Sequence, residues 1–253
     1  MPGTERAPEV GRGVKGGRAS PGTIDLIERG EMRLLGIMPR ASNYTFLAEI
    51  SDGSRRIKVV YKPRSGEAPL WDFPDGTLCD REVAAYILGS RMGWPAIPPT
   101  VMRDGPHGEG AVQLFVESDP SEHFFTLREK HVDEFRRVCA FDVIVNNADR
   151  KSGHCLLGPD GTIWAIDHGV SFSLHARLRT VIWDFAGEPV ATEVLQDVRR
   201  LAGEIRSGEL REEMSEHLSQ EEVDATVSRA EMLAETGRFP APGPGRAIPW
   251  PPV

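Results

Sequence analysis

The chain has 253 residues, 40% of them hydrophobic and 27% charged, which is typical of a globular protein with one large domain or two lobes. Its net charge of −8 argues against nucleic acid or an anionic membrane surface as the main partner. No apolar run approaches the roughly 20 residues that a transmembrane segment needs, and three cysteines without metal spacing indicate a reducing compartment. We therefore expect a cytoplasmic protein.

The first part of the chain predicts a tail, a helix and three strands. Residues 1–20 are rich in Gly, Arg and Pro without periodicity, which predicts a disordered tail. A helix is predicted over residues 23–31, with Thr23 as its cap. Three antiparallel strands are expected next, over residues 32–37, 44–50 and 57–62. The last of them is ended by a proline, which cannot donate a ladder hydrogen bond.

A loop, a helix and a strand follow. The loop, residues 64–79, contains aromatic side chains, and we expect it to fold onto the protein. Asp80 is the predicted cap of a helix over residues 81–91 that ends at Gly93. An extended stretch and a glycine turn then lead into a strand over residues 111–116.

A change in composition after residue 117 predicts two lobes, residues 21–117 and 118–237, followed by a proline-rich tail over residues 238–253 that either docks or is disordered. The second lobe should be mainly helical, with apolar spacing of three and four residues. Its predicted helices cover residues 131–145, 190–206 and 209–217, with a fourth that opens at a Ser219–Glu222 capping box and stops at Gly237.

The chemistry is concentrated around a predicted hairpin in the second lobe. Strands over residues 155–157 and 162–166 are joined by a Gly-Pro-Asp-Gly turn. So short a hairpin brings its ends together, and residues 149–154 should lie near Asp167. Two buried carboxylates, Asp149 and Asp167, repel each other unless protons or a cation intervene. A divalent metal is therefore expected between them.

Five separate motifs stand in a fixed order along the chain: Val60-Tyr61-Lys62-Pro63, Arg81-Glu82-Val83-Ala84-Ala85-Tyr86, Ile97-Pro98-Pro99-Thr100, Asn147-Ala148-Asp149-Arg150 and Ala165-Ile166-Asp167-His168-Gly169. In this order they resemble the phosphoinositide 3-/4-kinase superfamily, most closely type II phosphatidylinositol 4-kinases and HipA-type serine kinases. The stretch PLWDFP after residue 68 is similar to a signature of a bacterial family labelled phosphatidylinositol-kinase-like. The resemblance implies an α+β, two-lobed protein-kinase-like fold, with an antiparallel-sheet N-lobe and a mainly helical C-lobe.

The resemblance also implies an ATP-dependent kinase that uses Mg²⁺. Asp149 would orient or deprotonate the acceptor hydroxyl, and Arg150 would support it or the transferred phosphate. Asp167 would bind Mg²⁺, which prefers oxygen ligands. Lys62 would contact the phosphates, and Glu82 would pair with Lys62 across the cleft. Without the resemblance, other interpretations remain open. Asp149 and Asp167 could be turn or cap residues, and Lys62 could be a surface lysine. Glu82 could simply be a carboxylate in the first turn of a helix, where it interacts favourably with the helix dipole.

Two further stretches are expected to contact the nucleotide. Ser42 and Asn43 lie in the loop that takes the place of a Gly-rich phosphate cover, although an ordinary hairpin turn is the alternative. Phe115, Val116 and Glu117 would form the hinge that hydrogen-bonds adenine, although the apolar side chains of this strand equally suit a core.

His154 departs from the family, which carries a metal-binding Asn at this position. Imidazole is a poorer partner for Mg²⁺ than an oxygen donor. Three outcomes stay open: His154 ligates weakly or through water, a second metal site is lost, or the protein binds nucleotide with little turnover. His168 is less diagnostic, because related families carry Asn or His there.

The predicted partners are a nucleotide and a phosphoryl acceptor, which is a protein hydroxyl, a small alcohol or an inositol head group. The acidic charge counts against a membrane-bound lipid. The alternatives are a pseudokinase that regulates a partner, an enzyme that transfers AMP, and a metal-dependent hydrolase built on Asp149, His154, Asp167 and His168.

Overall fold

A computed structural model describes residues 14–15, 18–19, 21–39 and 43–253. Two short strands, β1 (Val14–Lys15) and β2 (Arg18–Ala19), pair antiparallel within the predicted tail. The rest of that tail, and Ser42 with its predicted phosphate contact, lie outside the described residues. Within the described part of the chain, no helix has the length and apolarity to span a bilayer.

The first helix, α1 (Pro21–Arg29), begins two residues earlier than predicted. Thr23 therefore lies in its first turn, and the prediction that Thr23 caps the helix was wrong. Leu26 and Ile27 are buried against the sheet that follows.

A five-stranded antiparallel sheet forms the N-lobe, in the order β3-β4-β5-β7-β6. Its strands are β3 (Glu31–Ile37), β4 (Phe46–Ser51), β5 (Arg56–Pro63), β6 (Thr100–Gly105) and β7 (Gly108–Leu114). On β5, Val59 and Tyr61 point into the lobe's apolar core. Because alternate residues of a strand face opposite sides, Lys62 lies on the other face of the sheet.

Helix α2 (Leu78–Met92) begins before Asp80, so the prediction that Asp80 caps it was also wrong. The carboxylate of Glu67 caps it instead, since it accepts from the backbone N–H groups of Leu78 at 3.0 Å and Cys79 at 2.8 Å. The helix ends as predicted at Gly93, which has the left-handed φ of 80° typical of a helix C-terminus.

The second lobe is mainly helical, as predicted. Its helices are α3 (Phe124–Leu127), α4 (Val132–Val145), α5 (Thr192–Arg206), α6 (Glu209–Ser215) and α7 (Gln220–Thr236). The predicted capping box is present, because Ser219 Oγ accepts from Glu222 N and Glu222 Oε2 accepts from Ser219 N. The predicted hairpin is also confirmed as strands β8 (Cys155–Leu157) and β9 (Ile163–Ala165).

The proline-rich tail docks on the C-lobe, which is one of the two outcomes that the sequence left open. The carbonyl of Ala247 accepts from Thr180 N and from Trp183 Nε1, both at 3.0 Å. The carbonyl of Pro252 accepts from Ser152 N at 2.9 Å, beside the loop that carries Asp149. The lobe boundary after residue 117 stays a prediction.

Candidate active site

The loop that carries Asp149 is shaped by the end of α4. The helix stops at Asn146, whose φ of 53° turns the chain away from the helix axis. Asn147 then donates from its side chain to Asp142 Oδ1 at 3.0 Å and accepts from Asp149 N at 2.9 Å. Asn147 and Asp142 therefore fix the backbone of Asp149 from the end of a buried helix.

Arg150 is fully buried, and each of its five N–H donors has an acceptor. Asp142 accepts from Nε and Nη2, both at 2.9 Å, and the carbonyls of His154 and Ile166 accept from Nη1 at 3.2 and 2.7 Å. The remaining donor points at His168 Nε2, 2.8 Å away. No donor is left for a phosphate, so the predicted direct contact between Arg150 and the transferred phosphate does not fit this geometry. The geometry fits the predicted supporting role.

His168 is buried, and both its ring and its backbone N–H make hydrogen bonds. Its ring nitrogen Nε2 faces Arg150, which can only donate, so Nε2 is the acceptor and the ring is neutral. Burial, followed by the charge of Arg150, lowers the pKa of His168 well below its ordinary value. Its backbone N–H donates to Glu82 Oε2 at 3.1 Å, which links the hairpin to helix α2.

Lys62 joins the two lobes. Its ammonium nitrogen lies 2.6 Å from Glu82 Oε1 and 2.6 Å from Asp167 Oδ1. Burial alone would lower the pKa of Lys62, but the two carboxylates outweigh burial and raise it. Burial likewise opposes the charge on Asp167, yet Lys62 and His154 hold the pKa of Asp167 below its ordinary value. The predicted pairing of Lys62 with Glu82 is therefore present.

Asp167 has a backbone φ of 56°, in the left-handed region that is unfavourable for residues other than glycine. Its second carboxylate oxygen, Oδ2, lies 3.4 Å from His154 Nε2. Burial lowers the pKa of His154 to about 4, so this imidazole is neutral at pH 7, and its Nδ1 accepts from the backbone N–H of Lys151 at 3.4 Å. The hairpin thus brings His154 and Asp167 together, as its shortness predicted.

Asp149 contacts a residue that the sequence analysis overlooked. Its Oδ2 lies 3.2 Å from the ammonium nitrogen of Lys151. Burial raises the pKa of Asp149, and Lys151 partly offsets this effect. The signal that could have indicated Lys151 was its place two residues after Asp149, directly after the recognised motif.

The other predicted nucleotide contacts lie at two edges of the N-lobe. Asn43 Oδ1 accepts from Ala68 N at 2.9 Å, which fits the hairpin-turn alternative. Phe115 N donates to Lys58 O at 3.0 Å and so extends the sheet toward the second lobe. Glu117 lines an open groove of about 470 Å³, whose opposite wall is the hairpin turn with Leu157, Gly158 and Pro159.

The donor set for a metal is small. Among the side chains that the structure describes, no group of three or more His, Cys, Asp and Glu residues is arranged to hold a metal ion. Asp167 with His154 therefore provides at most a pair of protein ligands. This number suits Mg²⁺, which is commonly held by one or two carboxylates together with substrate phosphates and water.

The sequence pattern of the family described as "Phosphatidylinositol 3- and 4-kinase" matches residues 79–220, more than half of the chain. The chain belongs to this family. The family match includes Glu82, Asp149 and Asp167. It begins at residue 79 and so does not include Lys62. Together with the kinase fold described next, family membership supports a phosphotransferase of the kinase type.

Relatives of this phosphatidylinositol 3- and 4-kinase family member are bacterial and plant proteins. Protein Rv2133c of Mycobacterium tuberculosis (strain ATCC 25618 / H37Rv) is 40% identical over 257 residues, which cover 88% of this chain and 92% of the relative. Phosphatidylinositol 4-kinase gamma 3 of Arabidopsis thaliana is 29% identical over 156 residues, which cover 48% of this chain and 27% of the plant protein.

A solved structure shows the same fold. The Helicobacter pylori proinflammatory kinase CtkA superimposes with a TM-score of 0.50 at 10% sequence identity, over 84% of this chain and 94% of that one. At this identity the likeness concerns the fold alone. The predicted α+β, two-lobed protein-kinase-like fold is thereby confirmed.

Proposed function

We propose that this family member is an ATP-dependent kinase that uses Mg²⁺ and transfers the γ-phosphoryl group to a hydroxyl acceptor. The observation that carries the proposal is the position of Lys62, whose ammonium group is shared by Glu82 and Asp167 at 2.6 Å each. A lysine held by a helix carboxylate beside a metal-binding aspartate is the arrangement that phosphoryl transfer requires.

The residues of the chain then have distinct tasks. Lys62 binds phosphate oxygens, and Asp149 accepts the proton of the attacking hydroxyl. The raised pKa of Asp149 suits this task, because a base with a higher proton affinity takes the proton more readily. Arg150 contacts neither reactant and instead holds the loop in place.

Asp167 and His154 are the proposed Mg²⁺ ligands. Asp167 supplies carboxylate oxygens, and His154 supplies a neutral ring nitrogen 3.4 Å from one of them. When bound, Mg²⁺ neutralises phosphate charge. The single imidazole makes this a weaker site than one built from oxygen donors alone.

The hydrolase alternative receives no support from the geometry. Of its four proposed residues, His168 is buried and its Nε2 is committed to Arg150. Catalytic zinc sites normally use three protein ligands. Asp149, another of the four, is paired with Lys151 rather than with His154 or Asp167 among the contacts of the described residues.

The acceptor is proposed as a hydroxyl without further identity. The plant relatives are phosphatidylinositol kinases by name, so an inositol head group is one candidate. The net charge of −8 opposes binding to an anionic bilayer, so soluble alcohols and protein hydroxyls are tested beside phosphatidylinositol vesicles.

The test is Mg²⁺-dependent turnover of ATP by the purified chain and by Asp149→Asn. Asp133→Asn, an exposed aspartate on α4, is the matched control. The kinase is supported if the purified chain releases or transfers the γ-phosphate, and if this activity is abolished in Asp149→Asn and retained in Asp133→Asn. Nucleotide binding without turnover favours the pseudokinase, and transfer of label from α-phosphate-labelled ATP favours AMP transfer. Bound zinc with no thermal shift on adding ATP favours the hydrolase.

A further inference from the structure

The loop between β5 and α2 carries the PLWDFP stretch and is fixed to the N-lobe at two points. At its start, the carboxylate of Glu67 caps α2. Further along, the buried ring of Phe73 lies under the guanidinium of Arg81 on α2, 4.9 Å from it. The two residues before Phe73, Trp71 and Asp72, therefore extend from a fixed backbone.

Arg177 of the second lobe lies against this loop. Its Nη1 is 3.1 Å from Oδ2 of Asp72, and the two side chains are only 17% and 11% exposed. Its guanidinium also lies over the indole of Trp71, 4.5 Å from the ring centre. A mostly buried ion pair stacked on an aromatic ring is held in one geometry, unlike a pair that water screens. Asp72 and Arg177 thus form a fixed contact between the lobes, which we call the clamp.

The segment that follows the hairpin is hydrogen-bonded to the backbone on both sides of Asp149. Ala148, one residue before the proposed base, donates from its N–H to Val170 O at 2.9 Å. Arg150, one residue after it, donates from its N–H to Arg179 O at 3.0 Å. We call the stretch from Val170 to Arg179 the return segment, because it leaves the loop just before the base and comes back just after it. A displacement of this segment shifts the backbone that carries the carboxylate.

Asn146 connects Arg177 to the same loop. Its Oδ1 accepts from Arg177 N at 3.0 Å, and its Nδ2 donates to Ser173 O at 2.9 Å and to His175 O at 2.6 Å. Asn146 is also the left-handed end of α4, where the loop to Asp149 begins. The middle of the return segment is therefore held from the C-lobe by Asn146 and from the N-lobe by the clamp.

The clamp is independent of the groups that bind the nucleotide. In the proposed function, Lys62 contacts phosphate oxygens and Asp167 binds Mg²⁺, so their direct contact across the cleft is broken when the nucleotide binds. The clamp contains neither of these residues. It therefore continues to join the N-lobe, which carries the phosphate-binding lysine, to the return segment, which holds the loop of the base.

We propose that Asp72 and Arg177 are positioning residues, which hold Asp149 at the distance from the N-lobe that phosphoryl transfer requires. The inference rests on the proposed kinase function. The clamp touches no reactant and acts through the backbone hydrogen bonds on both sides of Asp149. A displacement of about 1 Å at a reacting group can cost about 100-fold in rate, so even a small shift of this loop slows turnover.

The experiment compares Asp72→Asn, Arg177→Gln and the double variant, which remove one or both charges of the clamp. Asp75→Asn is the matched control, because Asp75 is an exposed aspartate of the same loop. Turnover is measured by phosphate release from ATP with Mg²⁺, and ATP affinity by calorimetry. Thermal unfolding reports stability, and amide hydrogen exchange reports the protection of Ala148 and Arg150.

Each single variant should lower kcat about 10-fold or more and change the ATP Kd by less than about threefold. Because both substitutions remove the same contact, the double variant should lose no more than the larger of the two single losses. Exchange at Ala148 and Arg150 should be faster in all three variants. Asp75→Asn should match the wild type in every measurement.

A lower unfolding temperature with unchanged kcat would show that the clamp serves stability alone, and would overturn the positioning role while the kinase proposal stands. The same conclusion follows if the two losses of kcat multiply in the double variant, or if exchange beside Asp149 is unaltered. Wild-type protein that turns over no ATP would overturn the kinase proposal, and the role of the clamp in turnover with it.

Discussion

The ammonium nitrogen of Lys62 on β5 lies 2.6 Å from Oδ1 of Asp167, two residues after the end of β9, and this contact joins the two lobes at the cleft. The same nitrogen lies 2.6 Å from Glu82 on α2. One lysine therefore connects the sheet, helix α2 and the hairpin of the second lobe. The proposed phosphate contact would add a chemical task to this structural one.

Replacing Lys62 by Met should affect both stability and ATP binding, which replacing a surface lysine should not. Glu82 would be left nearly buried without a counter-charge, whereas Asp167 is 44% exposed and can be hydrated. We expect a loss of about 1–3 kcal/mol in the free energy of unfolding, together with loss of ATP binding. Urea denaturation and calorimetry measure the two effects.

The control is Lys58→Met, on the same strand and facing the same side. Lys58 pairs with Glu117, and both side chains are about half exposed. Its loss should change stability by less than about 1 kcal/mol and leave ATP binding unaltered. Equal effects of the two substitutions would contradict the special role of Lys62.

Arg150 and Asp142 form a fully buried ion pair beside the loop that carries Asp149. Removing one partner strands a buried charge, so Arg150→Met and Asp142→Leu should each cost about 3–5 kcal/mol in the free energy of unfolding. The double variant removes both charges and should lose clearly less than the sum of the two. A double-mutant cycle by urea denaturation measures the coupling.

The exposed pair Arg128–Asp184 is the control for that cycle. Its coupling should stay below about 1 kcal/mol, because water screens both partners. Additive losses at Arg150 and Asp142 would show that the two side chains act independently, which the bidentate geometry does not predict.

Signals that act over a few residues were readable in the sequence. The hairpin turn after β8, the capping box of Ser219 and Glu222, and the terminal glycines Gly93 and Gly237 each depend on backbone preferences of the residues concerned. Their predicted positions hold to within a few residues. The resemblance of the motifs to a kinase family added the lobe order, which these local signals do not contain.

Long-range partners could not be read in the same way. Helix α2 is capped by Glu67, eleven residues before the start of the helix, and local capping rules favoured Asp80. Arg150 was assigned a phosphate contact as one possibility, because nothing local reveals that Asp142 and two backbone carbonyls consume its donors. The docking of the tail at Ser152 depends on contacts about 100 residues apart, which composition cannot specify.

The pH dependence of turnover should report the environment of Asp149. Burial raises its pKa, and a base acts only when deprotonated, so activity should fall as the pH drops through this raised pKa. The acid limb of kcat/KM should therefore lie above the ordinary range of an aspartate. Since Lys151 lowers the pKa of Asp149, the limb should move to still higher pH in Lys151→Met. An acid limb at the same pH in both proteins would argue against Asp149 as the titrating group.

The docked tail should locally stabilise the loop that carries Asp149. Deleting residues 246–253 removes the acceptors of Ser152 N, Thr180 N and Trp183 Nε1 and should cost about 1–3 kcal/mol. Deleting residues 251–253 removes the acceptor of Ser152 N and keeps Ala247. Amide hydrogen exchange should then show faster exchange at Ser152 in both deletions and at Thr180 in the longer one alone. Unchanged protection of Ser152 in the shorter deletion would contradict the contact with Pro252.

His154→Asn tests whether the imidazole beside Asp167 limits the use of Mg²⁺. His154 Nε2 lies 3.4 Å from Asp167 Oδ2, and the substitution places an amide oxygen on the same backbone position. Because Mg²⁺ prefers oxygen ligands, we expect a several-fold lower Mg²⁺ concentration for half-maximal turnover of ATP. His107→Asn, at an exposed ring stacked on Phe46, is the matched control and should leave this concentration unchanged. A higher Mg²⁺ requirement in His154→Asn would show that the imidazole itself is the better ligand here, and would assign it a direct role in holding the metal.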